Sequence, residues 1–276
     1  MKPYLLRLVA CLLLCVSLNS FGAYYAKTDG TIVDTIMSCG ASSSGGSCRD
    51  SPYAWEINYS GPNLVPEADL SDTEISQAKL WSVDLSGANL SNVIWASNRF
   101  NDGNFSDALM DNGIFYHSNF TNTTLSNVSM IGAELHNANL SGSDMSNSNL
   151  LGAELQGAIL NNVNLSGANL TNTYFSFNDF TSSDLSNTNF TNARVWGVNF
   201  SDSDFSGSNL SQIDLDWDGA IYTNAIYSES TTFPTGFDPA AEGMIFVSEV
   251  PLPAGIYLFL SGLVGLVGVK LRGRNA

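Results

Sequence analysis

Three aspartates at alternate positions, in Asp214-Leu-Asp-Trp-Asp-Gly219, repeat the opening of a calcium loop: Asp214, Asp216 and Asp218 can gather around one turn that Gly219 closes. The twelfth position is Ala225 rather than a bidentate glutamate, so the segment is not an EF-hand. Calcium is therefore the only cofactor the sequence suggests, and the competing reading leaves these carboxylates flanking an inward Leu215. Two cysteines, Cys39 and Cys48, enclose a Gly/Ser-rich stretch and would pair as a disulfide in an oxidising compartment. Beyond these, no residues assemble into catalysis. The two histidines, His117 and His136, have no cysteine nearby, and no nucleophile elbow, zinc-protease helix or phosphate loop is present. The sequence reads as a non-enzyme.

The frame that would position any such group is plain. From Leu70 to Leu215 every fifth residue is apolar, thirty times without a break. A small residue stands two places before nearly all of them, with Asn98, Asn178 and Ile213 as the departures, and Asn, Ser, Asp, Thr and Gly fill most other positions. A period of five suits neither an amphipathic helix nor a simple strand, and it marks a repeat array. If each unit forms one side of a coil, the central Leu or Phe and the small residue before it point to the axis and the other three point outward.

Segments such as Ser86-Gly-Ala-Asn-Leu90 and Ser166-Gly-Ala-Asn-Leu170 resemble the pentapeptide-repeat family, whose pattern is A(D/N)Lxx, over about 150 residues. The resemblance implies an all-β chain: a right-handed quadrilateral parallel β-helix with four units per coil, here seven and a half coils and a rod of about 36 Å at the usual strand spacing of roughly 4.8 Å. It also implies that end-to-end homodimers can form, and that an acidic member could mimic DNA and bind a topoisomerase.

Twenty residues per coil make the surface legible from the numbering. Asn149, Asn169, Asn189 and Asn209 stack as an amide ladder, and Glu134 over Glu154 and Asp184 over Asp204 stack carboxylates. Most aromatic residues outside the core frame fall on one face. Tyr116, Tyr174, Phe177, Trp196 and Trp217 lie there with His117, His136 and Arg194, while Trp81 lies elsewhere. Rings in a row on a rigid face, edged by polar groups, suit stacking on sugars or docking of a partner.

Both ends carry targeting signals. Lys2 and Arg7, the apolar run 8–18 and the small residues Ser20, Gly22 and Ala23 read as a secretory signal peptide over 1–23. At the other end, Val250-Pro-Leu-Pro-Ala254 precedes an apolar run over 256–269 and the basic residues Lys270, Arg272 and Arg274. The run is short for a spanning helix, which needs about 20 residues, yet it could hold the chain transiently in the inner membrane with its basic end inside. This block resembles the VPLPA variant of the PEP-CTERM sorting tail, which implies processing by an exosortase in a Gram-negative bacterium that makes exopolysaccharide. The expected organisation is signal peptide 1–23, N-terminal cap 24–66, β-helix 67–215, C-terminal cap 216–247, and sorting motif, hydrophobic helix and basic tail 248–276. Charge fits that destination. The whole chain is −16, and without its terminal segments five cations face 26 acids, leaving −21. Such a surface repels nucleic acid. The sequence thus points to a secreted or surface-held structural or adhesive scaffold of the exopolysaccharide matrix, with the topoisomerase-binding DNA mimic and a calcium- or sugar-binding module as the competing readings.

Overall fold

A computed structural model describes residues 64–215 and 219–249, together with the backbone of four short strands nearer the N-terminus. Those strands form two antiparallel pairs, Tyr25–Ala26 with Ile32–Val33 and Met37–Cys39 with Ala54–Glu56, the second closing the chain around the Gly/Ser-rich stretch. The signal peptide, Cys48, and the tail from Val250 onward lie outside the described residues. Among the described residues, no helix is long and apolar enough to cross a membrane.

Parallel bridges tie each residue before a core position to the residue twenty places on: Asp69 to Asn89, Glu74 to Ile94, Lys79 to Arg99, Asp84 to Asn104, and so on up the array. Four bridge columns, five residues apart along the chain, make a four-sided coil of twenty residues. From Leu70 to Leu210 the Leu, Phe, Met, Ile, Val and Trp at the central positions are fully or almost fully buried, as are the small residues two places earlier from Ala78 onward. Each large buried side chain stabilises the coil by about 1.5–3 kcal/mol relative to exposure. The rings stack from coil to coil, with Phe100 on Phe120 at 4.8 Å, Phe180 on Phe200 at 5.2 Å and Phe200 on Tyr222 at 5.4 Å between centroids.

The corners explain the polar residues. Typically the amide of the small residue bonds back to the previous core carbonyl, as Thr73 N–H does to Leu70 at 3.3 Å, and the residue between them is left-handed. That position carries Asn, Asp or Gly along most of the array because these tolerate a positive φ, here 58° at Asp72 and 65° at Gly87. Where the small residue is Ser or Thr, its hydroxyl usually donates to a core carbonyl, as Ser183 does to Leu160 and Ser203 to Phe180, both at 2.7 Å; Ser148 Oγ is an exception, buried without a partner among the described residues. The amide ladder forms in part: Asn169 Nδ2 donates to Asn149 Oδ1 at 2.9 Å and Asn209 Nδ2 to Asn189 Oδ1 at 3.3 Å, whereas Asn189 Nδ2 turns to Thr171 Oγ1 at 3.1 Å.

The coil does not stop at Leu215. After a two-residue insertion the ladder resumes with Asn199 to Ile221 and Asp204 to Ile226, then Asn209 to Thr232 after one more residue, so Tyr222 and Ala225 enter the core. A last parallel pair, Ile226–Tyr227 with Ile245–Phe246, lies above it. Phe233 and Phe237 close the end, stacked on each other at 5.1 Å with Phe237 edge-on to Tyr222 at 5.5 Å. Burial pushes the Tyr222 phenol well above its usual range, with the Glu242 charge adding to the effect. Glu229 and Glu249 fasten the outgoing strand. Glu229 accepts from Ser248 Oγ and from the Glu249 N–H, both at 2.8 Å, while Glu249 accepts from the hydroxyls of Ser228 and Ser230.

Candidate functional site

The face centred on Trp95, Phe115, Leu135, Leu155, Phe175 and Val195 carries most of the aromatic candidates, and local backbone chemistry there differs from the rest of the rod. At 174–176 and 194–196 the chain runs as three-residue strands, paired in parallel with each other and with Asp214–Leu215. At 174–176 the reason lies in Asn178, one of the departures from the small-residue column. Its side chain is buried: Oδ1 accepts from the Ser176 N–H at 2.7 Å and Nδ2 donates to the carbonyls of Leu155 and Ala158 at 2.6 and 2.9 Å. The carboxamide takes over the bonds of a regular corner, leaving it open. The Asn98 side chain, near the N-terminal end, bonds only to the coil before it, with Oδ1 accepting from Ala78 N–H at 2.7 Å and Nδ2 donating to Ile75 at 2.6 Å.

At the open corner, Phe177 is left-handed, with φ 55°, and 64% exposed. Its ring lies 4.6 Å from that of Trp196, itself 44% exposed, and covers Gly197, where an added Cβ would come within 3.0 Å of it. Lower on the same face the Tyr116 ring lies 5.0 Å from His136, whose Nε2 is 3.2 Å from Glu154 Oε2. Glu154 is bridged in turn to Tyr174, and Tyr174 to Arg194. The structure therefore joins Tyr116, His136, Glu154, Tyr174, Phe177, Arg194 and Trp196 into one row along about four coil steps, roughly 19 Å. Residue numbering alone shows Glu154 only as half of a stacked carboxylate pair, because it reveals columns and not the diagonal reach of His136. His117 sits at a corner with φ 56°, linked to His136 through its backbone N–H at 3.0 Å, and does not join the row of rings. Trp217 lies outside the described residues.

The calcium candidate is divided: Asp214 is exposed on this face, opposite Arg194, whereas Asp216 and Asp218 lie outside the described residues. Among the described residues no group of three His, Cys, Asp or Glu side chains could hold a metal ion. Asp184 and Asp204 bridge one above the other, and each instead accepts from a backbone N–H two residues on, at Ser186 and Ser206. The row of rings thus carries one imidazole–carboxylate pair inside it.

Comparison with known proteins bears on the fold. No curated protein matches the chain. Among solved structures, HetL, a pentapeptide repeat protein involved in heterocyst differentiation regulation in the cyanobacterium Nostoc sp. strain PCC 7120, is 23% identical over 65% of this chain and 85% of its own, with a TM-score of 0.40. A trypsin-treated variant of QnrB1, a plasmid-mediated fluoroquinolone resistance protein, is 22% identical over 65% of this chain and 90% of its own, with a TM-score of 0.42. The family model for pentapeptide repeats matches in eight copies, over residues 66–94 and 115–217. Proteins of that family fold as right-handed quadrilateral β-helices and are generally non-enzymatic scaffolds. With its five-residue frame, twenty-residue coils and eight matched copies, the repeat array of this chain belongs to the pentapeptide-repeat family.

Proposed function

We propose that this chain is an exported, non-enzymatic scaffold of a Gram-negative bacterial surface, structural or adhesive within the exopolysaccharide matrix. In this reading an exosortase-type enzyme recognises Val250, Pro251, Leu252, Pro253 and Ala254, and the inner membrane holds the chain only until processing. The observation that carries the binding role is the row from Tyr116 to Trp196, half-buried at Tyr116, His136 and Tyr174 and exposed at Phe177 and Trp196, on a backbone whose coils are hydrogen-bonded to one another along the array. Aromatic anchors on a pre-organised surface lose little entropy when a sugar ring or a partner protein settles on them. The disulfide between Cys39 and Cys48 would fasten the N-terminal cap.

The test has two parts. Mass spectrometry of protein from the culture medium and the cell surface should find a chain lacking about the first 22 residues and everything after about Pro253, with one disulfide. The double variant Tyr174→Ser and Trp196→Ser should be exported and folded but lose matrix association. A full-length cytoplasmic product with free thiols would replace this reading with the acidic DNA mimic, whose support is the excess of acids over cations. Unchanged matrix association of the double variant would remove the aromatic row from the account.

A further inference from the structure

The row of rings has two ends and a middle, and their chemistry differs. At the lower end the Tyr116 and His136 rings lie 5.0 Å apart with their planes at 45°; at the upper end Phe177 and Trp196 lie 4.6 Å apart at 54°. Each pair spans one coil step, so the two rings of a pair brace each other as a platform. Tyr116, His136, Gln156, Ser176 and Trp196 share one outward column, and the carbonyls of the last four each accept an N–H from the coil before. Trp196 therefore stands four coil steps beyond Tyr116, roughly 19 Å at a strand spacing of about 4.8 Å.

Between the platforms the face is polar. Gln156 stands midway in the column, and its Oε1 is shielded from water with no hydrogen-bond partner among the described residues. Turning that carboxamide outward to accept from a ligand hydroxyl breaks no bond at the oxygen. Beside it Glu154 meets His136 Nε2 through Oε2, at 3.2 Å, while its side chain is 51% exposed and keeps acceptor capacity toward solvent. Along this face Glu134, Glu154 and Asp214 outnumber Arg194. The coils' own N–H and C=O groups are bonded to one another, so an extended peptide finds no open ladder to join here. Two ring platforms flanking a row of acceptors suit a chain of hydroxylated rings better than an apolar protein patch.

Resting on the reading of this row as the binding face, we infer that its ligand is a neutral glycan of extended, equatorially linked hexose rings, laid along the rod axis with one ring per coil step. Rings so linked advance by nearly the coil rise of roughly 4.8 Å, and five of them reach from Tyr116 to Trp196. The outer rings set their C–H faces on the two platforms, and inner hydroxyls donate to Glu154 and Gln156. The excess of carboxylates on the face disfavours an acidic sugar. One platform alone holds the chain weakly; once one is engaged, the other binds at a raised effective concentration. Affinity therefore climbs with glycan length until both platforms are covered, and then levels off.

The test is calorimetry of the whole chain, as the cell produces it, with cellobiose, cellotriose, cellopentaose and cellohexaose. Maltopentaose serves as a curled chain of the same rings, and cellopentaose oxidised at C6 as its acidic counterpart. Cellopentaose is expected to bind at least about tenfold tighter than cellobiose, maltopentaose or the oxidised form, with cellohexaose within about twofold of it. Tyr116→Ser and, separately, Trp196→Ser should each bring cellopentaose down to about the affinity of cellotriose, yet weaken cellobiose less than about threefold, because one platform remains. Both side chains lie outside the core, and unchanged circular dichroism would verify folding. Affinity that does not rise with length, equal binding of maltopentaose or of the oxidised chain, undiminished cellopentaose binding in either variant, or no binding at millimolar sugar would each overturn the assignment. Matrix association lost in the Tyr174→Ser and Trp196→Ser double variant, with no cellopentaose bound by the natural chain, would strike the glycan alone and leave the row a docking face for a protein. The expected length dependence with matrix association unchanged in that variant would uphold the glycan and strike the row's part in matrix association.

Discussion

Replacing Asn178 tests whether a single buried carboxamide holds open the corner that presents Phe177 and Trp196. Asn178→Ala removes three hydrogen bonds, but the losses are unequal. The Leu155 carbonyl still receives the Ala158 N–H at 2.9 Å. The Ser176 N–H and the Ala158 carbonyl, both in buried residues, lose the partners that Asn178 supplies. Two stranded buried groups at about 1–3 kcal/mol each give an expected destabilisation of about 3–4 kcal/mol, or roughly 10 °C in Tm for a chain of this size. Asn178→Ser should behave differently. Its hydroxyl can donate to Leu155 as Ser183 does to Leu160, and the corner can then close into the regular turn, at a cost below about 1 kcal/mol. Urea denaturation, with Trp fluorescence and matrix binding measured alongside, separates the two. The serine variant should be nearly as stable as the natural chain yet have weakened matrix binding, because Phe177 and Trp196 are re-aimed. A loss under about 1 kcal/mol for the alanine variant, or equal losses for both, would refute the reasoning.

Other perturbations give distinct outcomes. Phe177→Asn relieves a left-handed phenylalanine, about 1–2 kcal/mol, and gives up the ring contact with Trp196, about 0.5–1.5 kcal/mol, so stability should stay level or rise by up to about 1 kcal/mol while matrix binding falls. A fall of more than about 1 kcal/mol in thermal denaturation would make Phe177 a structural residue. Phe237→Ala should loosen only the end of the rod, by about 1–2 kcal/mol, with hydrogen exchange quickening at 221–233 before 69–189; uniform quickening would contradict that localisation. The carboxyls of Glu229 and Glu249 are held below the ordinary value by hydrogen bonds, from the Glu249 N–H to the first and from the Ser228 and Ser230 hydroxyls to the second. Depressed values mean that their contribution is present above the ordinary carboxylate range and is lost as pH falls through the lowered one. Glu249→Gln should therefore be slightly less stable than the natural chain at pH 7 in urea titrations, and the gap should close below about pH 4; a gap that widens on acidification would reverse the sign.

Much of this was readable in the sequence because the period of five marks the core and the resemblance to the pentapeptide-repeat family implies four units per coil. Leu70 to Leu215 marked the core, and adding twenty to a residue number placed Tyr116 beside His136 and Asn149 beneath Asn169. The continuation past Leu215 was hidden because the insertion before Ile221 and the extra residue before Thr232 shift the count, although Tyr222 and Tyr227 keep the five-residue step between themselves. The open corner was marked only by Asn178 standing where Ala, Ser or Thr is usual, and what its carboxamide bonds depends on coils 20 and 23 residues away. Column arithmetic placed Trp81 off the main aromatic face, but its cation–π contact with Lys79, at 5.6 Å to the ring centroid, depends on side-chain direction.

Because the bonds between coils point along the axis, the rod should answer a pull on its two ends by peeling. Force loads the four sides of only the outermost coil, and nothing behind it shares the strain until that coil has opened. Each release frees twenty residues, about 66–72 Å of extended chain against a rise of roughly 5 Å. Held between a cell and its surroundings, such a molecule would behave as a stepwise tether, each coil lengthening about thirteenfold as it opens at modest force and rewinding when the tension drops.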